Sequence, residues 1–280
     1  MFTSVCKRIS PWLLATLLLA PAAASAQSLP KWEIGIGLAA MQLPYYRGSA
    51  TNRNFLLPFP RLIYRSEKFK IDEKGIKGRL FGSDRIKLDF SLAGGVPVPS
   101  EQNGVRADMP DLKPTVEIGP SLQLKLWRAK THRHALSLVL PLRATFAIDL
   151  PSLPHEGWIF SPYLNLTMAQ YRRNYWVGDL SIGPIYADAA YHDYFYGVEQ
   201  QYTTASRPAY SGEGGYAGSR LTLLLKRKSG NKMFIIFARL DTLRGAVFEA
   251  SPLVEAETYH VLGAAVTWLL ASSSERVEAP

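Results

Sequence analysis

The sequence predicts an all-β fold, an antiparallel transmembrane β-barrel of about twelve strands with short turns at one end and longer loops at the other. Three observations predict it. Apolar residues alternate with polar or small ones over stretches of roughly ten to fifteen residues, longer than the strands of soluble sheets but suited to a tilted membrane crossing. No stretch approaches eighteen consecutive apolar residues, although 47% of the chain is hydrophobic, so no spanning helix is expected. Long and short connections fall into two separate sets.

Residues 1–26 read as a cleaved targeting segment. Lys7 and Arg8 form its charged end, Pro11 to Ala20 its apolar run, and Ala24-Ser25-Ala26 its small-residue cleavage site before Gln27. An apolar run of about ten residues is too short to span a bilayer. Cys6, the single cysteine, leaves with the segment. Disulfides, thiolate metal sites and a cysteine nucleophile are thereby excluded. Losing Lys7 and Arg8 takes two charges from a formal total of +9.

Residues 27–270 form the predicted barrel, and 271–280 a polar tail. The first hairpin runs from Trp32 to Tyr64. Trp32, Ile34, Ile36, Leu38 and Ala40 share one face of its first strand, and Glu33, Gly35, Gly37 and Ala39 the other. Pro58 and Pro60 in the return strand exclude a helix and suit no central strand of a soluble sheet. Between Thr115 and Trp127, Val116, Ile118, Leu122, Leu124 and Leu126 oppose Glu117, Gly119, Ser121, Gln123 and Lys125. Ile86–Ala93 and Ala135–Asp149 repeat the pattern. A β-sandwich also alternates, but strand length, the secretory signal and aromatics near strand ends (Trp127, Trp158, Tyr171, Trp176, Tyr186, Trp268) favour a barrel with interfacial girdles.

Strands are expected near 32–42, 54–64, 66–72, 75–81, 85–97, 113–127, 134–149, 158–172, 175–188, 214–227, 231–244 and 257–270. With the N-terminus periplasmic, the long connections 43–53, 98–112, 150–157, 189–213 and 245–256 face outward and the short ones inward, as outer-membrane barrels require. Twelve strands satisfy the parity; ten is the alternative if the short 66–81 hairpin does not cross.

Enzymatic chemistry finds little support. His132 and His134 lie among Arg128, Lys130 and Arg133, a cationic setting that disfavours a metal. His192-Asp193, with Ser206 and Ser211 in the same loop, supplies the raw material of a triad, but no Gly-x-Ser-x-Gly elbow is present. Neither a phosphate-cradling glycine loop nor any cofactor motif occurs, and no nucleic-acid partner is expected. Alternation turns Glu33, Lys87, Asp89, Glu117, Lys125, Arg143, Asp149 and Asp179 into the lumen. Such mixed charge suits a filled or narrow interior more than a sign-selective pore. The basic excess gathers at three predicted periplasmic turns: Arg128, Lys130 and Arg133; Arg172 and Arg173; Lys226, Arg227 and Lys228. These read either as solvated charges near lipid headgroups or as a rim that docks an acidic partner.

Several segments together resemble the MipA/OmpV family, also called MltA-interacting proteins. They are Pro44-Tyr45-Tyr46-Arg47-Gly48-Ser49, the Pro58-Phe59-Pro60…Tyr64 return strand, Tyr196-Gly197-Val198, Arg207-Pro208-Ala209-Tyr210, Gly214-Gly215-Tyr216 and Ser251-Pro252-Leu253-Val254. The resemblance implies an outer-membrane protein of a Gram-negative bacterium, embedded in lipid. In some members it acts as a scaffold between a lytic transglycosylase and a peptidoglycan synthase. Two functions are thus expected: a non-enzymatic scaffold, or else a passive small-solute channel. A surface-loop hydrolase is a remote third.

Overall fold

A computed structural model describes residues 28–278 apart from 67–68, 73–74, 84, 131–132 and 171–174. The predicted signal segment (residues 1–26), His132, Tyr171, Arg172 and Arg173 lie outside the described residues.

Twelve strands close one antiparallel ring. They are β1 (Trp32–Pro44), β2 (Asn52–Arg65), β3 (Phe69–Asp72), β4 (Gly75–Gly82), β5 (Ile86–Gly95) and β6 (Thr115–Arg128). There follow β7 (His134–Ala147), β8 in two segments (His155–Phe160 and Tyr163–Gln170), β9 (Trp176–Ala187), β10 (Gly215–Ser229), β11 (Lys232–Thr242) and β12 (Thr258–Ser272). Each strand pairs with its sequence neighbours. The ring closes where β12 lies along β1, with Leu262 opposite Gln42 and Trp268 opposite Ile36. Both segments of β8 pair with β7 and β9, so they are one strand interrupted at Ser161-Pro162. Pro162 has no N–H to continue the ladder.

The predicted alternation sets the two faces. Ile36 and Leu56 are 55% and 68% exposed on the outer wall, whereas Glu33 and Arg61 are buried on the inner one. Apart from the outward edges of β2 and β5, the sheet pairs its own backbone groups, the condition for lying in hydrocarbon. Trp158 and Tyr186 sit near the long-loop end, and Trp127, Trp176 and Trp268 near the other, as girdles require.

Three boundaries differ from the sequence reading. The hairpin of β3 and β4 is short: β3 has four residues, rising about 13 Å, and pairs with β2 only at Tyr64 and Arg65. Twelve strands therefore close the sheet, but this hairpin stays in its periplasmic half. Strand β7 ends at Ala147, so Asp149 leaves the lumen and meets Lys113 at 3.1 Å in an exposed ion pair. The C-terminal segment is not a free polar tail. Arg276–Glu278 pairs with Ser28–Pro30, and Lys31 Nζ donates to Glu275 at 3.0 Å.

Candidate functional site

Four of the long outward connections, those after β1, β5, β9 and β11, fold into a single lid. The turn after β1 is closed by Tyr45 N–H donating to the Thr51 carbonyl. Gly48 adopts φ +96, a conformation an L side chain resists. That conformation turns its carbonyl to accept from the Glu255 and Ala256 amides at 2.8 and 2.9 Å. Tyr46 Oη donates to the Leu253 carbonyl at 2.6 Å. In the loop after β9, helix α1 (Ala189–Tyr196) is N-capped by Asp188, which accepts from Tyr191 N–H. It stops at Gly197, where a Cβ would sit 2.5 Å from the Asp193 carbonyl. Tyr196 then stacks on Phe248 at 3.8 Å and donates to the Arg47 carbonyl at 2.9 Å. Ser251 Oγ returns a bond to the Tyr196 carbonyl at 2.8 Å.

The loop after β5 joins from the far side of the ring. Arg106 donates to the Phe195 carbonyl, and Asn103 Nδ2 to Ser49 Oγ. Arg207, itself buried, donates to the Tyr202, Val105 and Ala107 carbonyls. Val198 bridges Tyr210, whose hydroxyl donates to the Val247 carbonyl. Tyr196, Phe248, Leu243 and Leu253 are almost fully buried at the centre. These connections rise from well-separated points of the ring, so their packing lies across the outward mouth. Family-motif positions Tyr46, Arg47, Gly48, Ser49, Gly197, Val198, Arg207, Tyr210 and Ser251 thus meet in one body. Pro208 is exposed on it, and Pro252 lines a surface cleft of about 400 Å³ beside Arg207. Pro58, Pro60 and Tyr64 belong to the wall.

Burial governs protonation in the lid. It pushes the Tyr46, Tyr191 and Tyr196 hydroxyls well above their ordinary range, and Tyr194 up to about 12. It also holds His192 below its ordinary value. Burial alone would lower Arg47, but Tyr259, Tyr196 and Asp241 around it outweigh that and leave it raised.

Beneath the lid the lumen is cross-linked by charge. Glu33 meets Arg61 and Arg65 at 2.8 Å each. Arg143 meets Glu117 at 2.8 Å and donates to Ser91 and Ser161. Asp179 accepts from Thr167 at 2.7 Å. Asp241, wholly buried, accepts from Arg220 at 2.8 Å and Tyr259 at 2.6 Å, with Arg47 Nε at 3.4 Å and Arg239 Nε at 3.5 Å. Of the predicted lumen charges, all but Asp149 face inward. Arg61, Arg220, Arg239 and Asp241 were missed, although each follows the alternation of its strand.

The basic turns divide. Arg128, Lys130 and Arg133 are exposed, as is Arg227, whose guanidinium lies 5.1 Å from the Trp176 ring. Lys228 reaches the Tyr175 ring at 5.8 Å. Lys226 is not on the rim. It is buried and faces the lumen opposite Val177 and Ile235, because strand pleating sends neighbours to opposite faces.

His192 does not meet the loop serines. Its Nδ1 faces the Glu213 carbonyl, and its ring packs 4.7 Å from Phe248. Asp193 accepts from Gly212 N–H, and Ser206 bonds Thr204. Among the described residues no group of three metal-binding side chains occurs.

Comparison with known proteins gives a match to the family model "MltA-interacting protein MipA" over residues 36–270. No curated protein matches. Among solved structures the chain is similar to a bacterial polysaccharide outer membrane secretin (8% identity, 85% of this chain and 99% of that one, TM-score 0.40). It is also similar to the CymD monoaromatic hydrocarbon channel (10% identity, 86% and 89%, TM-score 0.34). A third likeness is to the outer membrane protease OmpT from Escherichia coli (9% identity, 88% and 99%, TM-score 0.30).

Proposed function

The chain belongs to the MltA-interacting protein MipA family and is an outer-membrane barrel; from that premise we propose that it is a non-enzymatic scaffold of a Gram-negative envelope. Its partners on this reading are a lytic transglycosylase, which the family description suggests, and a peptidoglycan synthase. One observation carries the reading: four long connections are consumed in packing across the outward mouth, while Arg128, Lys130, Arg133 and Arg227 are left exposed at the other end. A barrel whose mouth is packed with stacked aromatics is poorly built for passage. Arg128, Lys130, Arg133 and Arg227 project where wall enzymes work.

Exposed charges steer encounters more than they add affinity, and salt screens them over about 8–10 Å. Replacing Arg128, Lys130 and Arg133 by Gln therefore slows capture of periplasmic wall enzymes at low salt and changes it little at high salt. The barrel still folds, because exposed ion pairs contribute little to stability. Unchanged capture at both salt levels would reduce these residues to headgroup anchors.

A further inference from the structure

Membrane-barrel interiors are ordinarily polar, yet one sector of this lumen is not. In three successive layers on β11, β12, β1 and β2, the large inward side chains are Phe237, Ile235, Met41, Phe55, Leu57 and Phe59. Between them β12 and β1 contribute mostly small side chains (Gly263, Ala265, Thr267, Ala39 and Gly37), which leaves a trough bordered on β10 by the buried Lys226 opposite Ile235. The Phe59 ring lies across Gly37, where a Cβ would meet it at 2.4 Å. Met41 and Leu57 remain 37% and 47% exposed although they point inward, so their surface is uncovered.

The trough ends at a cation excess. Three guanidiniums, Arg47, Arg220 and Arg239, share the single carboxylate of Asp241. Arg239 is one layer above Phe237 on the same strand. Its Nε and the Nη1 of Arg47 are buried without a hydrogen-bond partner. Buried donors of this kind normally find an acceptor. The side chains of Arg220 and Arg239 keep 31% and 24% of their surface open. From Arg239 down to Met233 the trough runs roughly 20 Å, the reach of a long acyl chain.

The wall also offers a way in. At both ends of the β1–β2 pair, odd-numbered β2 residues bond to the β1 side: Tyr45 N–H to Thr51 and Arg65 N–H to Lys31. The even-numbered residues therefore turn their backbones to the other edge. Pro58 and Pro60 fall on that edge and carry no N–H. Among the described residues, β3 pairs with β2 only at Tyr64 and Arg65, and β4 pairs with β5 only as far as Asp89. The outward half of the wall is thus unzipped between Asn54–Pro60 and Phe90–Gly95. Prolines remove donors that hydrocarbon could not satisfy.

We propose that the lumen binds a long-chain carboxylate taken sideways from the outer leaflet, its tail along this trough and its head at the arginines around Asp241. The test uses the full barrel in phosphatidylcholine nanodiscs and palmitate carrying a diazirine at its chain end. Adducts are expected on inward Phe55, Leu57, Phe59 or Ile235. Unlabelled palmitate competes, methyl palmitate competes roughly tenfold more weakly for want of the charge, and acetate does not compete. Arg239→Gln leaves Asp241 held by Arg220, Arg47 and Tyr259, so the barrel folds and palmitate affinity falls roughly tenfold. Leu57→Gln, also foldable at an uncovered position, cuts labelling without touching the arginines. Adducts confined to outward Leu56 and Leu62 would mean surrounding lipid only and overturn the proposal. Equal competition by methyl palmitate, or undiminished affinity in Arg239→Gln, would overturn it as well.

Discussion

Introducing Arg at position 122 or at position 123 tests the register of the whole wall. Leu122 is the eighth of fourteen residues in β6, with Leu88 and Leu140 as its cross-strand partners on the lipid face. Leu122→Arg places a cation near the bilayer midplane at a cost of about 2–4 kcal/mol. That is a loss of about thirty- to several-hundred-fold in the folding equilibrium. Gln123 faces the lumen and donates to Ser137 Oγ at 3.2 Å. Gln123→Arg forfeits that bond, worth about 1 kcal/mol, and adds a cation opposite Lys87 in a hydrated interior. The Leu122 variant should therefore be the weaker by about 1–3 kcal/mol in urea titrations of barrels folded into phosphatidylcholine vesicles. Equal losses, or a larger loss for Gln123→Arg, would mean a one-residue slip that exchanges the two faces.

Two further expectations concern the lid. Phe248→Ala empties the ring stacked on Tyr196 and should cost about 3–5 kcal/mol, felt locally. Amides of 189–197 then exchange faster while those of β6 and β11 do not, and unchanged lid protection would deny the stack its role. Burial holds the His192 imidazole below its ordinary value, with Arg47 acting in the same direction against the Glu213 carbonyl and Asp188. The folded lid thus binds fewer protons than the unfolded one. Its stability is full above about pH 6.5 and declines as pH falls below that value. Protection factors of the 189–197 amides, corrected for the intrinsic pH dependence of exchange, should fall toward about pH 5, and a flat protection profile would remove His192 from the balance.

The wall was legible because a bilayer and a lumen ask for different side chains, so each strand carries its faces in the sequence. The places where reading failed are places where alternation says nothing about extent. Asp149 continues the rhythm of β7 by one more step, yet the strand stops at Ala147. Lys226 was grouped with Arg227 and Lys228 by composition, although its own parity sends it inward. The lid was legible only as fragments. Tyr46, Gly48, Gly197, Arg207 and Ser251 were visible as motif residues, but their convergence depends on contacts between positions as far apart as Tyr46 and Leu253, which no local pattern encodes. The cluster at Asp241 was within reach: Arg239 and Asp241 alternate with Ala238 and Leu240 on β11.

The central claim is that the barrel's outward mouth is packed shut and that the protein acts through its periplasmic end. Single-channel recording of the purified protein in a planar bilayer tests it most directly. Because Tyr196 and Phe248 stack within a lid that lies across the mouth, the intact chain should insert without opening a steady conductance. A stable, ohmic conductance from the unmodified protein would contradict the account and identify the barrel as a channel.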